Sequence, residues 1–467
     1  MIFENDGVRE LKIAYIGGGS RGWAWNLMSD LVSCDDMSGD VYLYDIDLEA
    51  AQHNEIIGNL YNRCEGAKTV WNYHAVATPE EALTGADFVI ISILPGTFDE
   101  MENDVHLPEK YGIYQSVGDT SGPGGIIRAM RTVPMFEEIA GYIRDYCPNA
   151  WVINYTNPMT LCVKTLYRVF PQIKAYGCCH EVFGTQKVLC TALKEICNIE
   201  VADRSEIRVN PVSVNHFTWL TKASYRNMDL FPIYAQFAEQ YAETGYTRNL
   251  DANWMNNSFA CSQKVKLDLF RRYGYIAAAG DRHLAEFCPG KWYLKDPETV
   301  RGWGFGLTPV SYRKDDLQKR LEKSRQLRSG ELPVTLNPTG EEGVMQMHAI
   351  LGIGSPMVTN VNLPNYGQIP NLPMGAVVET NAVFGSGSVT PVMAGPIPTE
   401  IHPLVGHICT EQEMLSDAIA NRDLDMIFNV FANDPLVTCS MDEAKALFRE
   451  MVLATKDYLT SYDLSNL

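Results

Sequence analysis

The chain has 467 residues, of which 46% are hydrophobic and 20% charged, and its formal net charge is -19. This composition is typical of a globular protein with a large core, and the length favours two domains. The negative charge argues against nucleic acid as a partner, because its phosphates would be repelled. No apolar stretch reaches the roughly 18 residues of a membrane span, and the N-terminus does not resemble a signal peptide. The 12 cysteines, scattered singly except for Cys178 and Cys179, predict a reduced, cytoplasmic protein.

The first part of the chain alternates strand and helix patterns. Four buried strands are predicted, at residues 12–16, 41–44, 87–92 and 150–153. Helices are predicted between them, including residues 23–32 and 54–62. Because strands that alternate with helices form parallel sheets covered on both faces, this half is predicted to be a doubly wound α/β domain.

The second part of the chain has a less regular pattern. Ser213–Trp219 alternates like a strand, and Phe231–Arg272 predicts a long helical region. A further strand is predicted at Ala376–Glu379. The C-terminal segment reads as helical, with capping-box patterns that begin at Thr410 and Ser440. These elements predict a mixed α+β domain fused to the first.

A glycine-rich loop follows the first strand. Gly17, Gly19 and Gly22 have the spacing that permits a tight turn and close approach of the backbone to a pyrophosphate at the start of a helix. Asp45 ends the second strand, where a carboxylate can accept hydrogen bonds from a ribose diol and disfavours a 2′-phosphate. The pattern predicts NAD as cofactor, bound by these residues and Ser20. The alternative is a glycine turn without a ligand.

Two further loops carry polar residues that suit ligand binding. The glycine-rich segment 118–125 precedes a helix with Arg128, and it either covers a ligand or is a plain turn. Asn154 ends a buried strand at the edge where ligands bind in open α/β sheets. Its amide both donates and accepts hydrogen bonds, which suits hydroxyl recognition, although Asn in such a motif also stops strands.

A cysteine, three histidines and an acid in the middle of the chain form the chemically active set. Cys179 and His216 offer a thiolate and an imidazole, which suit several divalent metals, although a buried cysteine and a core histidine give the same pattern. His180 adjoins the cysteine, and on a strand it would point away from the next residue. Asp281 and His283 lie in a loop after a run of small residues. Asp281 is a candidate general base, with a solvated turn residue as the alternative.

Several ordered motifs resemble those of the NAD- and metal-dependent glycosidases of glycoside hydrolase family 4, and the resemblance covers nearly the whole chain. The motifs are Ile16-Gly17-Gly18-Gly19-Ser20, Gly122-Pro123-Gly124-Gly125-Ile126 with Arg128, Asn154-Tyr155-Thr156-Asn157-Pro158, Cys179-His180-Glu181-Val182, Asn215-His216, Gly280-Asp281-Arg282-His283 with Glu286, and Ile369-Pro370-Asn371-Leu372-Pro373 leading to Val378-Glu379. The family is an exception to the rule of two catalytic carboxylates.

The resemblance implies a redox-assisted elimination. NAD⁺ takes hydride from C3 of the sugar, a Mn²⁺-like ion polarises the oxygens on C2 and C3, a base removes the C2 proton, and the leaving group departs before water adds and hydride returns. It implies that Cys179 and His216 are the metal ligands and that Asp281 is the catalytic base, although Tyr273 or Tyr275 remain alternatives for the base. His180 is the second catalytic candidate.

The resemblance also bears on the substrate. Members that act on 6-phosphosugars carry an arginine after the fourth strand, whereas residues 92–97 contain no basic residue. The segment from Cys179 to Gln186 looks most like the α-galacturonidase branch, which predicts hydrolysis of α-glycosides of a non-phosphorylated hexuronic acid. The α-glucosidase and α-glucuronidase branches remain alternatives, as do a plain NAD-dependent dehydrogenase and a nucleotide-sensing protein without catalysis. The predicted substrate contacts are Asn154, Arg128, Arg282 and His283.

The predicted organisation follows from these assignments. Residues 1–180 are expected to form a Rossmann-like NAD-binding domain, and residues 181–467 a domain for substrate, metal and oligomerisation. The expected partner is a small-molecule glycoside, without nucleic acid or membrane. The family resemblance implies a cytoplasmic homodimer or homotetramer.

Overall fold

The structure is a computed structural model that describes residues 1–4, 7–247, 259–337, 340–465 and 467. Six parallel strands form the centre of its larger sheet: β2 (Gly7–Ile16), β3 (Met37–Tyr44), β4 (Trp71–Val76), β5 (Phe88–Ile91), β6 (Trp151–Asn154) and β7 (Lys174–Gly177). Their spatial order is β7-β6-β5-β2-β3-β4. The order reverses between β2 and β5, so a crevice opens at the carboxyl ends of these two strands.

Helices connect these strands and cover both faces of the sheet. They are α1 (Trp23–Val32), α2 (Leu48–Tyr61), α3 (Pro79–Leu83), α4 (Phe98–His106), α5 (Gly122–Tyr146), α6 (Met159–Val169) and α7 (Glu181–Cys197). Strands such as Phe88–Ile91 are buried throughout because helices pack on both sides of them. The predicted doubly wound Rossmann-like sheet is confirmed.

The chain returns to the same sheet in its second half. The strands β12 (Met357–Pro364), β13 (Val377–Gly385) and β14 (Ser388–Pro391) extend the sheet beyond β7 in antiparallel pairing. At the N-terminus, β1 (Ile2–Glu4) pairs with the central strand β2. Asn362 of β12 pairs with Gly177 of β7. Because C-terminal strands complete the N-terminal sheet, the two halves are fused through a continuous backbone ladder. The domain boundary at residue 180 stays a prediction.

A smaller antiparallel sheet and nine helices complete the described second half. The sheet contains β8 (Ile207–Val212), β9 (Trp219–Tyr225), β10 (Met228–Asp229) and β11 (Ile276–Ala277). The helices are α8 (Phe231–Tyr241), α9 (Lys264–Tyr273), α10 (Asp281–Glu286), α11 (Pro297–Gly302), α12 (Val310–Ser329), α13 (Gly343–Leu351), α14 (His402–Ala420), α15 (Leu424–Asn433) and α16 (Met441–Ala454). The mixed α+β character predicted for this half is confirmed, including the helical C-terminus.

Three local predictions were wrong. The alternating segment Ser213–Trp219 is a turn rather than a strand, because β8 ends before it and β9 begins only at its last residue. The single helical region predicted over Phe231–Arg272 is two helices, α8 and α9, and residues 248–258 between them lie outside the described residues. Thr410 lies inside α14 and donates to the Gly406 carbonyl (2.8 Å), so it caps no helix. The capping box at Ser440 is confirmed.

Buried polar contacts fix the helices that carry the site loops. Arg131 of α5 makes a fully buried ion pair with Asp104 of α4, and its Nε donates to the Pro95 carbonyl (3.0 Å). A buried ion pair of this kind fixes geometry more than it adds stability. None of the 12 cysteines forms a disulfide. Among the described residues, no helix combines the length and apolar character needed to cross a bilayer.

Candidate functional site

The glycine loop of residues 17–22 forms a tight cradle between β2 and α1. Gly17 has a φ of 91°, and a Cβ there would lie 2.1 Å from the Ser92 carbonyl oxygen. The Gly19 N–H donates to Asp45 Oδ2 (2.8 Å), and Gly22 is the N-cap residue of α1. Glycine is required because any side chain would collide with the neighbouring strand ends. The loop therefore exposes backbone at the start of a helix, as a pyrophosphate site requires.

Asn54 of α2 holds the same loop through hydrogen bonds. The Asn54 amide donates to the carbonyls of Gly18 (2.8 Å) and Ser20 (3.0 Å), and its oxygen accepts from the Trp25 indole (2.8 Å). Burial raises the pKa of Asp45, while its hydrogen bonds from Gly19 and Asp47 act in the opposite direction. Asp45 is therefore placed at the loop as predicted, and its role towards a ribose stays a prediction.

A group of possible metal ligands forms where three distant segments meet. One ligand atom from each of Asp119, His216 and His283 lies within 4.8 Å of the other two. The centroids of the two imidazole rings are 3.9 Å apart. His216 has a left-handed φ of 64°, and its Nδ1 lies 3.1 Å from the hydroxyl of Thr120. The turn at residues 213–218, which replaces the predicted strand, is what places His216 in this group.

The charges in this group suit a cation. Burial opposes ionisation of Asp119, yet Arg128, His216 and His283 hold the pKa of this carboxyl well below its usual range. Burial lowers the pKa of His216 to about 3, with repulsion from His283 adding to the effect, and burial also lowers the pKa of His283. At neutral pH the site therefore contains one carboxylate and two neutral imidazoles. These are the protonation states that bind a divalent metal.

Glu181 connects this group to the loop that precedes α10. Its Oε2 accepts a hydrogen bond from Gly280 N (2.6 Å), and its Oε1 lies 3.6 Å from Nε2 of His283. Although burial opposes it, His283 and His216 lower the pKa of Glu181 to about 2. A carboxylate behind a metal-binding histidine fixes the ring and its tautomer. The chain turns into α7 at this residue, so the strand geometry expected for His180 and Glu181 was wrong.

Cys179 lies beside a buried glutamate. The amide of Asn360 donates to the Cys179 carbonyl (3.2 Å) and to Glu379 Oε1 (2.6 Å), and the amide of Asn215 donates to Glu379 Oε2 (3.5 Å). Burial, together with Glu379 and Glu181, raises the pKa of the Cys179 thiol well above its usual value. The described residues that gather as possible metal ligands are Asp119, His216 and His283. The assignment of Cys179 as a ligand stays a prediction.

Glu286 hydrogen-bonds the backbone of the turn that precedes Asp119. Its Oε1 accepts hydrogen bonds from Val117 N (2.7 Å) and Gly118 N (3.0 Å), and the side chain is 1% exposed. Burial raises the pKa of Glu286 to about 8, and the negative charge of Asp119 acts in the same direction. The glutamate thus fixes the turn from which Asp119 reaches the two histidines.

The predicted base, Asp281, is the first residue of α10 and is fully buried. Its Oδ1 accepts from Lys266 N (3.1 Å), while Oδ2 has no hydrogen-bond partner within the described part of the chain. Burial raises the pKa of Asp281 to about 6, and Lys266 opposes this shift. Tyr273, one alternative base, packs edge-on against the buried Trp219 (6.0 Å between centroids).

The predicted catalytic histidine, His180, lies at the start of α7 in a more open position. Its side chain is 53% exposed, and its Nδ1 lies 3.5 Å from Glu341 Oε1. Its ring centroid is 6.1 Å from that of Trp23, which in turn stacks on Tyr155 at 5.5 Å. An aromatic wall therefore runs from the glycine loop to the cysteine loop.

The predicted substrate residues differ in whether their side chains already form hydrogen bonds within the protein. Asn154 uses its amide on Thr156, donating to the carbonyl and accepting from the N–H at 3.0 Å each. Asn157, three residues on, places Nδ2 3.5 Å from Asp119 Oδ2, and its buried Oδ1 has no partner among the described residues. The turn thus presents Asn157 rather than Asn154 to the site. Arg128 is buried, and its Nε donates to the Asn157 carbonyl (3.2 Å).

Arg282 hydrogen-bonds the loop before α5. Its Nη2 donates to the Ser116 carbonyl (2.8 Å) and to the Thr308 hydroxyl, and its own carbonyl accepts from the Ser116 hydroxyl (2.5 Å). Burial lowers the pKa of Arg282, and the positive charge of Arg313 adds to the effect. The guanidinium therefore fixes the loop that leads to Asp119.

Sequence reasoning assigned no role to Asp119, Glu181 or Asn157. Asp119 follows a glycine inside the glycine-rich loop, and a carboxylate at that point was the available signal. Glu181 is the first residue of α7 and Asn157 lies in the Asn-x-x-Asn-Pro motif, so both stood within segments already singled out.

Two protein-family models together match most of the chain. The model of the family 4 glycosyl hydrolases matches residues 12–195, and that of the family 4 glycosyl hydrolase C-terminal domain matches residues 212–437. An α-galacturonidase of Thermoanaerobacterium saccharolyticum is 59% identical over 464 residues, which cover 99% of this chain and 100% of that protein. An α-galacturonidase of Bacillus subtilis is 52% identical over 95% of this chain and 97% of its own.

Solved structures share the fold. The crystal structure of lplD from Bacillus subtilis superimposes with a TM-score of 0.90 at 52% identity, covering 95% of this chain and 100% of that one. A 6-phospho-β-glucosidase of Thermotoga maritima, solved with manganese, NAD⁺ and glucose-6-phosphate, has a TM-score of 0.75 at 20% identity over 97% of this chain and 99% of that one.

Proposed function

The chain belongs to glycosyl hydrolase family 4, and we propose that it hydrolyses α-glycosides of galacturonic acid with the help of NAD and a divalent metal such as Mn²⁺. The observation that carries this proposal is that ligand atoms of Asp119, His216 and His283, of which His216 is buried, lie within 4.8 Å of one another. Relatives that are 52–59% identical over nearly their full length bear the name α-galacturonidase.

The residues present suit both groups. A Cβ would not fit at Gly17 or Gly19, so a pyrophosphate can approach the backbone of the glycine loop closely near the start of α1. A carboxylate and two neutral imidazoles fit a divalent cation, and the sulfur of Cys179 is the proposed additional ligand. When bound, the dinucleotide accepts and returns hydride at C3 of the sugar, and the metal polarises the neighbouring sugar oxygens.

Asp281 is the residue we assign to removal of the proton from C2. Its carboxyl is fully buried with one oxygen unused in the described structure, and burial raises its pKa to about 6. A base is most effective when its pKa lies near the working pH, since it is then largely ionised and still basic. Lys266 N holds the other oxygen (3.1 Å) and orients the group.

The carboxylate of the substrate needs a cation, and Arg128 is the residue we propose for it. Arg282 donates from its terminal nitrogen Nη2 to Ser116 and Thr308. Arg128 donates from Nε to the Asn157 carbonyl. A guanidinium can bind a carboxylate with its two terminal nitrogens. Asn157, with a buried free oxygen, is placed to accept from a sugar hydroxyl. His180 and Trp23 line the more open side, where we place the leaving group.

The experiment compares aryl α-D-galacturonide with aryl α-D-galactoside, which differ only in the carboxylate at C6. Each is incubated in D₂O with NAD⁺, Mn²⁺ and a thiol reductant, and then with each addition omitted. We expect cleavage of the galacturonide only when NAD⁺ and Mn²⁺ are present, with deuterium at C2 of the product. Equal cleavage of the galactoside would refute the uronate specificity, and stoichiometric NADH without cleavage would indicate a dehydrogenase.

A matched pair of variants tests the two arginines. Arg128→Gln is expected to lower kcat/KM for the galacturonide by about 10²-fold or more, the scale of a lost charge-assisted contact in a buried site, while Arg282→Gln acts mainly through the loop it holds. A loss in Arg128→Gln that is equal for both glycosides would contradict the assignment to the carboxylate.

A further inference from the structure

Helix α12 has an unusual composition for its place in the fold. Its 20 residues contain seven lysines and arginines against three acids, in a chain whose net charge is -19. Of these residues Val310, Ser324 and Leu327 are buried. A helix that is polar on nearly all sides gains little from apolar packing, so polar contacts hold most of it in place.

The helix crosses the carboxyl edge of the large sheet and is fastened at both ends. At its start, the Val310 N–H donates to His106 Nε2 of α4 (3.2 Å), and Lys314 pairs with Asp99 (2.6 Å). Towards its end, Leu327 packs into the core formed by β2, β3, α1 and α2. The helix therefore lies over the glycine loop of residues 17–22 as a strap between α4 and α2.

Arg320 makes the contact between the strap and the loop. Its Nη1 donates to the Arg21 carbonyl (3.0 Å), and its Nε donates to Asp316 Oδ2 (2.6 Å), which orients the guanidinium. A Cβ at Gly22 would lie 2.5 Å from this Nη1. The third glycine of the motif thus admits a guanidinium from another part of the chain at the N-terminus of α1.

A cavity of about 540 Å³ separates α12 from the first turn of α1. It is lined by the loop residues Arg21 and Trp23 on one side and by Lys319 and Lys323 on the other. The ammonium of Lys323 lies 5.5 Å from the ring centroid of Trp25. Four positive side chains, Arg320 included, therefore surround the first turn of α1.

We propose that α12 is a clamp that holds the pyrophosphate of the dinucleotide against the glycine loop, with Arg320 as the principal contact and Lys319 and Lys323 as supporting charges. The inference rests on the proposed use of NAD. In a reaction that returns its hydride in every cycle the dinucleotide need not leave, so a clamp that slows its release carries no penalty for turnover. Charge-assisted hydrogen bonds to phosphate are the strong ones, and a guanidinium provides them in pairs.

The test measures dinucleotide binding rather than catalysis. Wild type, Arg320→Gln and Lys323→Gln are titrated calorimetrically with NAD⁺, ADP-ribose and adenosine, and the release rate of NADH is followed by its fluorescence after mixing with excess NAD⁺. Arg325→Gln is the control, because Arg325 lies on the same helix but pairs with Glu322 and Glu331 at the surface. We expect Arg320→Gln to weaken NAD⁺ and ADP-ribose about tenfold, to speed NADH release by a similar factor, and to leave adenosine unchanged.

Each outcome bears on one part of the inference. Lys323→Gln is expected to have a smaller effect that fades at high salt, since exposed charges are screened. Unchanged affinity and release in Arg320→Gln, with wild type still cleaving the glycoside, would overturn the clamp and leave the proposed function standing. Equal weakening of adenosine would assign the effect to the fold of the loop and also overturn the clamp. If wild type binds no dinucleotide, both proposals fail.

Discussion

Glu286 supports the turn that carries Asp119, and substitutions there separate its two roles. Its Oε1 accepts both Val117 N (2.7 Å) and Gly118 N (3.0 Å), and because burial raises its pKa to about 8, the neutral acid predominates at pH 7. Glu286→Gln keeps a neutral oxygen that can accept both hydrogen bonds. Glu286→Leu has a similar size but leaves two buried N–H groups without an acceptor.

The expected magnitudes follow from these contacts. Each buried N–H left unsatisfied costs about 1–3 kcal/mol, so Glu286→Leu is expected to lower the free energy of unfolding by about 2–6 kcal/mol. At pH 5 Glu286→Gln is expected to stay within about 1 kcal/mol of wild type. The folded-state pKa of Glu286 lies above its ordinary 4.5, so the stability it contributes is complete below about pH 4.5 and is lost as the pH rises to about 8. Wild type should therefore lose on the order of 1.4 kcal/mol per pH unit relative to Glu286→Gln over this range.

The assay is urea unfolding of the three proteins at pH 5, 6.5 and 8 with a chelator present, together with titration of Mn²⁺ onto each folded protein. Glu286→Leu is also expected to bind Mn²⁺ about tenfold more weakly, because the turn no longer fixes Asp119. A difference between wild type and Glu286→Gln that does not change with pH would refute the assigned protonation state. Equal stability of the Leu and Gln variants at pH 5 would refute the role of the two hydrogen bonds.

Three further predictions address other parts of the structure. Arg131→Met leaves the buried carboxylate of Asp104 without its partner and is expected to lower the free energy of unfolding by about 3–5 kcal/mol in urea titrations; an unchanged midpoint would contradict the buried ion pair. Gly19→Ala places a Cβ 2.6 Å from that of Ala50, and calorimetry should find dinucleotide affinity reduced about tenfold or more, with metal affinity retained. If Asp281 is the base, log kcat/KM should fall as the pH drops below about 6, and Asp281→Asn should reduce kcat by about 10²–10⁴ while still binding Mn²⁺. A variant that keeps the wild-type pH profile would assign the proton transfer to another group.

The first half of the fold was predictable because its signals are local. Buried strands and the glycine spacing of residues 17–22 depend on a few neighbouring residues, and the four predicted strands correspond to β2, β3, β5 and β6. The strands β4 and β7 were not predicted. Asp45 also follows from its strand, since the end of β3 adjoins the end of β2 in a parallel sheet. The motifs shared with family 4 extended this prediction to the whole chain.

The conformations of turns could not be predicted from local sequence patterns. The alternation of Ser213–Trp219 indicated a strand, but His216 at a φ of 64° belongs to a turn, and its ring contacts Thr120, nearly 100 residues earlier. In the motif that begins at Asn154, the sequence marked two amides of the same type. Only the folded turn shows that the Asn154 amide binds the backbone of Thr156, whereas the Asn157 amide lies near Asp119.

The sequence by itself determined the nucleotide fold, the family and the residue types available for chemistry, because periodicity and motif spacing are properties of neighbouring residues. The tertiary structure decided which of those residues act together. Asp119, His216 and His283 are separated by 97 and 67 positions, and their ligand atoms come within 4.8 Å only because a loop, a turn and the start of α10 meet at one place. Their protonation states were likewise set by the fold, since burial and mutual charge shift each pKa and neither exists in the extended chain.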